Sequence, residues 1–208
     1  MKLRMMMFSV LTMVVLSACA KKVKLTIDGT LLSSQTTLYL IVNKDTANAQ
    51  RIPINDAKFS VIVEVDKNDF IRLQENKDRP GRGGFVLIPD SRHITVDTWK
   101  GAVEGSPMSQ RLQNAVEEIR SAGPGTFHID VFSEDPKAWE EARAKERDIR
   151  ARMEQEQREI VRKVMLENKD NNIPAWILYC FPEQAYMYLD EVTQDSPKWM
   201  RYPILMRQ

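Results

Sequence analysis

The residues with the clearest potential for covalent chemistry are Leu16, Ser17, Ala18 and Cys19. A cysteine preceded by small residues, by an apolar run and by a basic start is typical of a bacterial lipoprotein signal. In such a signal the chain is cut before the cysteine, the thiol receives a diacylglycerol, and the new amine is acylated with a palmitate-type chain. The sequence therefore predicts a signal peptide at residues 1–18 and lipidation of Cys19.

A short transmembrane helix is the alternative interpretation of the same apolar run. The run from Met5 to Leu16 is about twelve residues long, whereas a helix needs ~20 apolar residues to cross a bilayer. The lipoprotein signal is therefore favoured, and residues 19–22 are predicted to be a lipidated tether.

The other cysteine and the two histidines do not form a recognisable reactive set. Cys180 lies in the apolar segment Trp176 to Phe181, and an apolar setting raises the pKa of a thiol and makes it inert. A redox role for this thiol is the alternative. His93 and His128 are distant in sequence from each other and from any cysteine at metal-ligand spacing. The sequence therefore predicts neither a metal site nor a cofactor.

Sequence motifs of enzymes are also missing. The chain contains no Gly-x-Ser-x-Gly, His-Glu-x-x-His or Cys-x-x-Cys. The carboxylate pairs Glu117-Glu118 and Glu140-Glu141 are adjacent on predicted helices, so the members of each pair point in different directions. The glycine-rich segment Asn76 to Gly84 lacks the Gly-Lys-Ser/Thr ending of a phosphate-binding loop. We therefore expect a protein that is not an enzyme.

The charge balance argues against a nucleic-acid partner. The chain has 30 basic and 29 acidic residues, and removal of Lys2 and Arg4 with the signal leaves 28 basic against 29 acidic. A nucleic-acid-binding protein usually carries a clear basic excess. Only Lys21, Lys22 and Lys24 cluster. They could rest on anionic lipid headgroups beside Cys19, or they could belong to a solvated linker.

The elements that would position any site divide into strands and then helices. Alternating apolar residues over residues 23–105 predict about seven short strands, in an antiparallel β-sandwich or an open barrel. Residues 106–208 are predicted to be helical, which gives an α+β fold. The strands are expected at Val23–Ile27, Leu38–Val42, Arg51–Ile54, Phe59–Val65, Phe70–Gln74, Phe85–Ile88 and Ile94–Thr98.

Two helices are predicted in the first part of the helical region. Ser106 is a suitable N-cap, Pro107 suits the first helical position, and Gly123 should end the first helix. One long, charged helix should follow from Asp135 to about Asn168. Its narrow apolar stripe is expected to pack against a neighbouring helix, and it consists of Trp139, Ala142, Ile149, Met153, Ile160 and Val164.

The end of the sequence is unusually apolar. Ile173 to Tyr188 should return to the core in short helices, and the segment Pro197 to Gln208 carries Trp199, Tyr202 and Leu205. These three side chains either fold back on the core or form a surface for a separate partner. Both alternatives stay open.

The order of several of these features resembles one protein family. The signal, the opening Val23–Gly29, the strand start Lys58–Ser60, the pair Phe85–Pro89 and Ile94–Val96, and Val103–Ser109 before a helix are similar to the uncharacterised N-terminal β-domain of thioredoxin-like lipoproteins in anaerobic Gram-negative bacteria. In that family a thioredoxin fold with a Cys-x-x-Cys pair follows. Since this sequence has no such pair, the resemblance implies the β-domain and no thiol-disulfide activity.

Taken together, the motifs predict a lipid-anchored protein of the bacterial cell envelope, on the periplasmic side of the outer membrane. Its expected role is a non-catalytic binding or scaffold module, attached to the membrane by its N-terminal lipid and with a possible protein partner in the envelope. One alternative is an accessory module of a periplasmic thioredoxin-like system. Another is a glycan-binding surface lipoprotein that uses Trp99 or Trp199.

Overall fold

The computed structural model describes residues 22–32, 36–77, 84–125, 129 and 135–193. Strands come first along the chain and helices follow, so the predicted mixed α+β class is confirmed. Two four-stranded sheets account for the first half of the described residues.

The described residues contain eight strands, one more than the sequence predicted. The additional strand is the last and has three residues. The strands are β1 Lys22–Thr30, β2 Leu38–Val42, β3 Gln50–Ile52, β4 Lys58–Asp66, β5 Ile71–Gln74, β6 Phe85–Leu87, β7 His93–Asp97 and β8 Ala102–Glu104.

The first sheet has the strand order β4-β1-β7-β8 and the second has the order β3-β2-β5-β6. Most neighbours are antiparallel, but β1 and β7 run parallel, with Ile27 opposite Ile94. The prediction of a purely antiparallel arrangement is therefore wrong at this pair. Alternation of apolar residues reports which face of a strand is buried, and it is the same for either strand direction.

Side chains from both sheets form one buried hydrophobic cluster. Leu25 and Ile27 come from the first sheet and Leu40 and Leu73 from the second, and all four are at most 3% exposed. Since alternate residues of a strand point to opposite faces, the other face of the second sheet is left to pack against helices.

The helices begin after β8. They are α1 Pro107–Ala122, α2 Pro136–Glu167, α3 Ile173–Cys180, α4 Pro182–Ala185 and α5 Leu189–Thr193, with a 3-10 turn at Tyr186–Tyr188. The predicted start of α1 is confirmed, because the Ser106 hydroxyl accepts a hydrogen bond from the Ser109 amide and Pro107 opens the helix. Gly123 caps its end.

The helix α2 meets the core only near its C-terminal end. Its buried residues are Gln157, Val161, Val164 and Met165. Of the predicted stripe, Val164 is buried, whereas Trp139 is 44% exposed. The prediction assumed that one face is covered along the whole helix, and the covered part is confined to the last three turns.

A second hydrophobic cluster joins the helices to the second sheet. Phe70, just before β5, and Ile88, just after β6, pack with residues of α1, α2 and α3. The rings of Phe70 and Trp176 are 5.2 Å apart between centroids, which is a favourable distance for an aromatic pair. Helices α1 and α3 therefore lie over the outer face of the second sheet.

Candidate functional site

Most of the sequence-predicted site residues lie outside the described part of the chain. These are Cys19, Trp199, Tyr202 and Leu205. His128, for which no site was predicted, also lies outside the described residues. The predicted lipidation and the predicted partner surface are therefore left as predictions. Among the described residues, no helix is long and apolar enough to cross a membrane.

His93 has a carboxylate partner that sequence reasoning missed. Its Nε2 atom lies 2.7 Å from Oδ2 of Asp28, because parallel pairing places β7 beside β1. The pKa of Asp28 is lowered most by a hydrogen bond from Ser60, and the next largest cause is the hydrogen bond from His93. The carboxylate thus accepts from both neighbours, whereas a nucleophilic triad needs the histidine between serine and aspartate. This exposed set does not have the order required for nucleophilic catalysis.

No group of three or more metal-ligating side chains occurs in the part of the chain that the structure describes. Two tryptophans are exposed among the residues that the structure describes. Trp99, in the turn between β7 and β8, is 73% exposed, and Trp139 is 44% exposed.

A cleft between the second sheet and two helices is a candidate ligand site in the described part of the chain. Its volume is about 360 Å³, within the range of ~300 to 1,000 Å³ that is usual for ligand sites. Its floor is the outer face of β6, and its walls are α1 and α3. It is lined by Gly84, Val86, Gly101, Leu112, Gln113, Asn114, Val116, Glu117, Arg120, Trp176 and Cys180.

The helix spacing explains why these side chains meet. On α1, Leu112, Val116 and Arg120 recur every four residues and share one face. On α3, Trp176 and Cys180 have the same spacing. Each helix therefore presents one continuous row to the cleft, with apolar residues toward the sheet and Arg120 exposed.

A buried hydrogen-bond network fixes α1 on the end of β6. The Ile88 amide donates to the Ser109 hydroxyl at 2.8 Å, and the Ser106 hydroxyl donates to the Ile88 carbonyl at 3.2 Å. The carboxylate of Asp90 accepts from the Met108 amide at 2.8 Å. Both serines are fully buried. The network therefore fixes the position of α1, which is a wall of the cleft, relative to β6, which is its floor.

Arg72 lies beside the floor of the cleft. It is directly opposite Val86 in the antiparallel pair of β5 and β6, so the two side chains leave the sheet on the same face. Arg72 is only 6% exposed. Its buried Nε atom has no hydrogen-bond partner among the described residues. An arginine in this position brings a positive charge close to an otherwise apolar floor.

Cys180 lies on the wall of the cleft and is a free thiol. Burial raises its pKa to about 11, and the positive charges of Arg120 and then Arg72 oppose this rise. At neutral pH the group is therefore a protonated thiol, and a thiol is a far weaker nucleophile than a thiolate. The sequence-based expectation of an inert thiol agrees with this pKa.

The lining of the cleft carries no sequence signal. Its residues come from one strand, one turn and two helices. These elements are far apart in the sequence, so the lining residues do not form a sequence motif. Arg72 was part of a predicted strand, but the sequence does not indicate that helices cover the face on which it lies. Only the packing of α1 and α3 on the second sheet brings these groups together.

Comparison with protein-family models, with curated proteins and with solved structures finds no match for this chain. The resemblance to the β-domain of thioredoxin-like lipoproteins therefore stays a prediction.

Proposed function

We propose that this protein is a lipid-anchored binding module of the bacterial envelope and that it holds a small ligand in the cleft between α1, α3 and β6. The observation that carries the proposal is the cleft itself: a half-open site of about 360 Å³ in which Val86, Val116 and Trp176 provide apolar surface. A few polar groups, among them Gln113 and Arg120, can orient a ligand. The role is binding without catalysis.

In this proposal the two sheets are the layers of a β-sandwich and serve as a rigid support. The lipid on Cys19 keeps the module at the periplasmic side of the outer membrane. The side of the molecule that carries α1 and α3 is the proposed surface for a ligand or an envelope protein. The segment with Trp199, Tyr202 and Leu205 is kept as the second proposed contact surface.

The alternative of an accessory role in thiol-disulfide chemistry is disfavoured, because the pKa of Cys180 lies well above neutral. The glycan-binding alternative has one favourable observation, the 73% exposure of Trp99, since exposed aromatic rings can stack on sugars. Retention of the protein on purified peptidoglycan that is lost in Trp99→Ala would support a glycan-binding role.

The cleft is tested by filling it. Gln113 is half-buried on the cleft wall, so Gln113→Trp should occupy much of the space. Ser121 is exposed on the same helix and does not line the cleft, so Ser121→Trp is the matched control. The full chain and both variants are purified from membranes and extracted with organic solvent, and the extracts are compared by mass spectrometry.

We expect a small molecule to accompany the wild type and the control and to be depleted at least about tenfold in Gln113→Trp. Equal amounts in all three proteins, or no bound molecule in the wild type, would contradict the proposal. Anchoring is tested separately with Cys19→Ala, which should lose acyl labelling and membrane association because a lipid chain supplies the binding energy. Persistence of this variant in membranes after a high-salt wash would refute the anchor.

A further inference from the structure

The charge next to the cleft is not balanced within the described part of the protein. Two guanidinium groups lie at this site: Arg120 lines the cleft, and Arg72 lies opposite the lining residue Val86. One carboxylate, Glu117, lines the cleft. Neither arginine forms an ion pair with a carboxylate of the described residues. The site therefore has a local excess of positive charge.

Arg72 differs from a surface arginine in its surroundings. Only 6% of its surface is exposed, and Gln74 is its neighbour on the same face of β5. A guanidinium has no acceptor of its own and needs acceptors from elsewhere. Burial without them is unfavourable.

An anion in the cleft would lie against Arg120, which lines it, and near the charge of Arg72, which lies opposite Val86 beside the floor but does not line the cleft. Guanidinium groups bind carboxylates and phosphates strongly because planar, charge-assisted hydrogen bonds form to both. Glu117 disfavours a dianion more than a monoanion, since like charges repel. The apolar surface of Val86 and Trp176 requires an apolar part in the same ligand. These features together suit a monoanionic carboxylate with an apolar body.

We propose that the cleft binds a small amphipathic carboxylate, with its charged group held by the positive charges of Arg72 and Arg120 and its apolar part against Val86, Val116 and Trp176. This proposal rests on the proposed function and names the ligand class of the same cleft. The carboxylate can belong to an aliphatic acid or to the free C-terminus of a short peptide. Both sources present the same chemistry to the two arginines.

The experiment compares charged and uncharged forms of the same probe. The full chain is held in phospholipid nanodiscs, with empty nanodiscs subtracted, and binding is measured by isothermal titration calorimetry. Octanoate is compared with octanamide, and N-acetyl-leucyl-phenylalanine is compared with its C-terminal amide. We expect the acid of at least one pair to bind about tenfold or more tightly than its amide. The pair that shows this preference identifies the source of the carboxylate.

Arg72→Met should remove this preference, because it keeps an unbranched side chain and eliminates the charge. Arg152→Met is the matched control: Arg152 is exposed in the part of α2 that precedes its first buried residue, Gln157, and the preference for the acid should persist. Equal binding of acid and amide by the wild type, an unchanged preference in Arg72→Met, or no binding of any probe would overturn the proposal.

Two further measurements separate the possible failures. If acid and amide bind equally and Gln113→Trp abolishes both, the cleft is a ligand site and only the anion preference is wrong. The melting temperature of ligand-free Arg72→Met gives an independent check. It should equal or exceed that of the wild type, because a buried charge without a partner is removed. A large decrease would show that Arg72 is part of a structural ion pair and would overturn the proposal.

Discussion

The side chain of Ser109 is bonded to the backbone of Ile88, 21 positions earlier in the chain, by a 2.8 Å hydrogen bond from the Ile88 amide. Ile88 follows the last residue of β6, and Ser109 lies in the first turn of α1. Both residues are buried. This single contact therefore connects the strand that forms the floor of the cleft to the helix that forms its wall.

Replacement of Ser109 by alanine should destabilise the protein by roughly 1–3 kcal/mol, because it leaves the buried Ile88 amide without an acceptor. The measurement is urea unfolding followed by circular dichroism. Ser121→Ala on the exposed side of the same helix is the control and should cost less than about 0.5 kcal/mol. If the two substitutions have the same effect, the contact between Ser109 and Ile88 is not a determinant of stability.

Two methionines of α2 provide a matched test of how much of that helix belongs to the core. Met165 is fully buried, whereas Met153 is half-buried and lies before the first buried position. Met165→Ala should cost about 2–5 kcal/mol, the usual range for truncation of a buried methionine. Met153→Ala should cost about 1 kcal/mol or less. Comparable losses of unfolding free energy would mean that the earlier turns are covered as well.

The limits of α1 could be predicted because local chemistry determines them. Ser106 caps the first amides, Pro107 fits where no amide hydrogen bond is needed, and Gly123 ends the helix. The buried face of α2 could not be predicted in the same way. Gln157 is buried because its amide donates to the Ile119 carbonyl of α1 at 3.0 Å, and a polar residue of this kind has no hydrophobic signal.

The candidate site is harder to predict from the sequence than the fold is. Alternation in β5 identifies Ile71 and Leu73 as one face and Arg72 as the other. It does not reveal that the Arg72 face is buried as well, because that burial depends on tertiary packing against distant parts of the chain. The parallel pair of β1 and β7, which joins Asp28 to His93, is hidden for the same reason.

The thiol of Cys180 provides a prediction about pH. Burial raises its pKa from the usual 9.0 to about 11 in the folded protein. Below about pH 9 the thiol is protonated in both the folded and the unfolded chain, so it adds no pH dependence. Between about pH 9 and 11 the unfolded chain loses this proton first. The folded protein should therefore lose stability over that window, by up to about 2–3 kcal/mol.

The effect is isolated by measuring urea unfolding from pH 7 to pH 11 for the wild type and for Cys180→Ala. Lysine and tyrosine side chains titrate in both proteins, so the difference between the two curves reports on the thiol. The difference in the free energy of unfolding should stay constant below about pH 9. Above about pH 9 the wild type should lose stability relative to Cys180→Ala. Maleimide labelling gives a second readout: native Cys180 should react slowly at pH 7 and rapidly in urea. Fast labelling of the native protein, together with a flat difference curve, would show an accessible thiol of ordinary pKa.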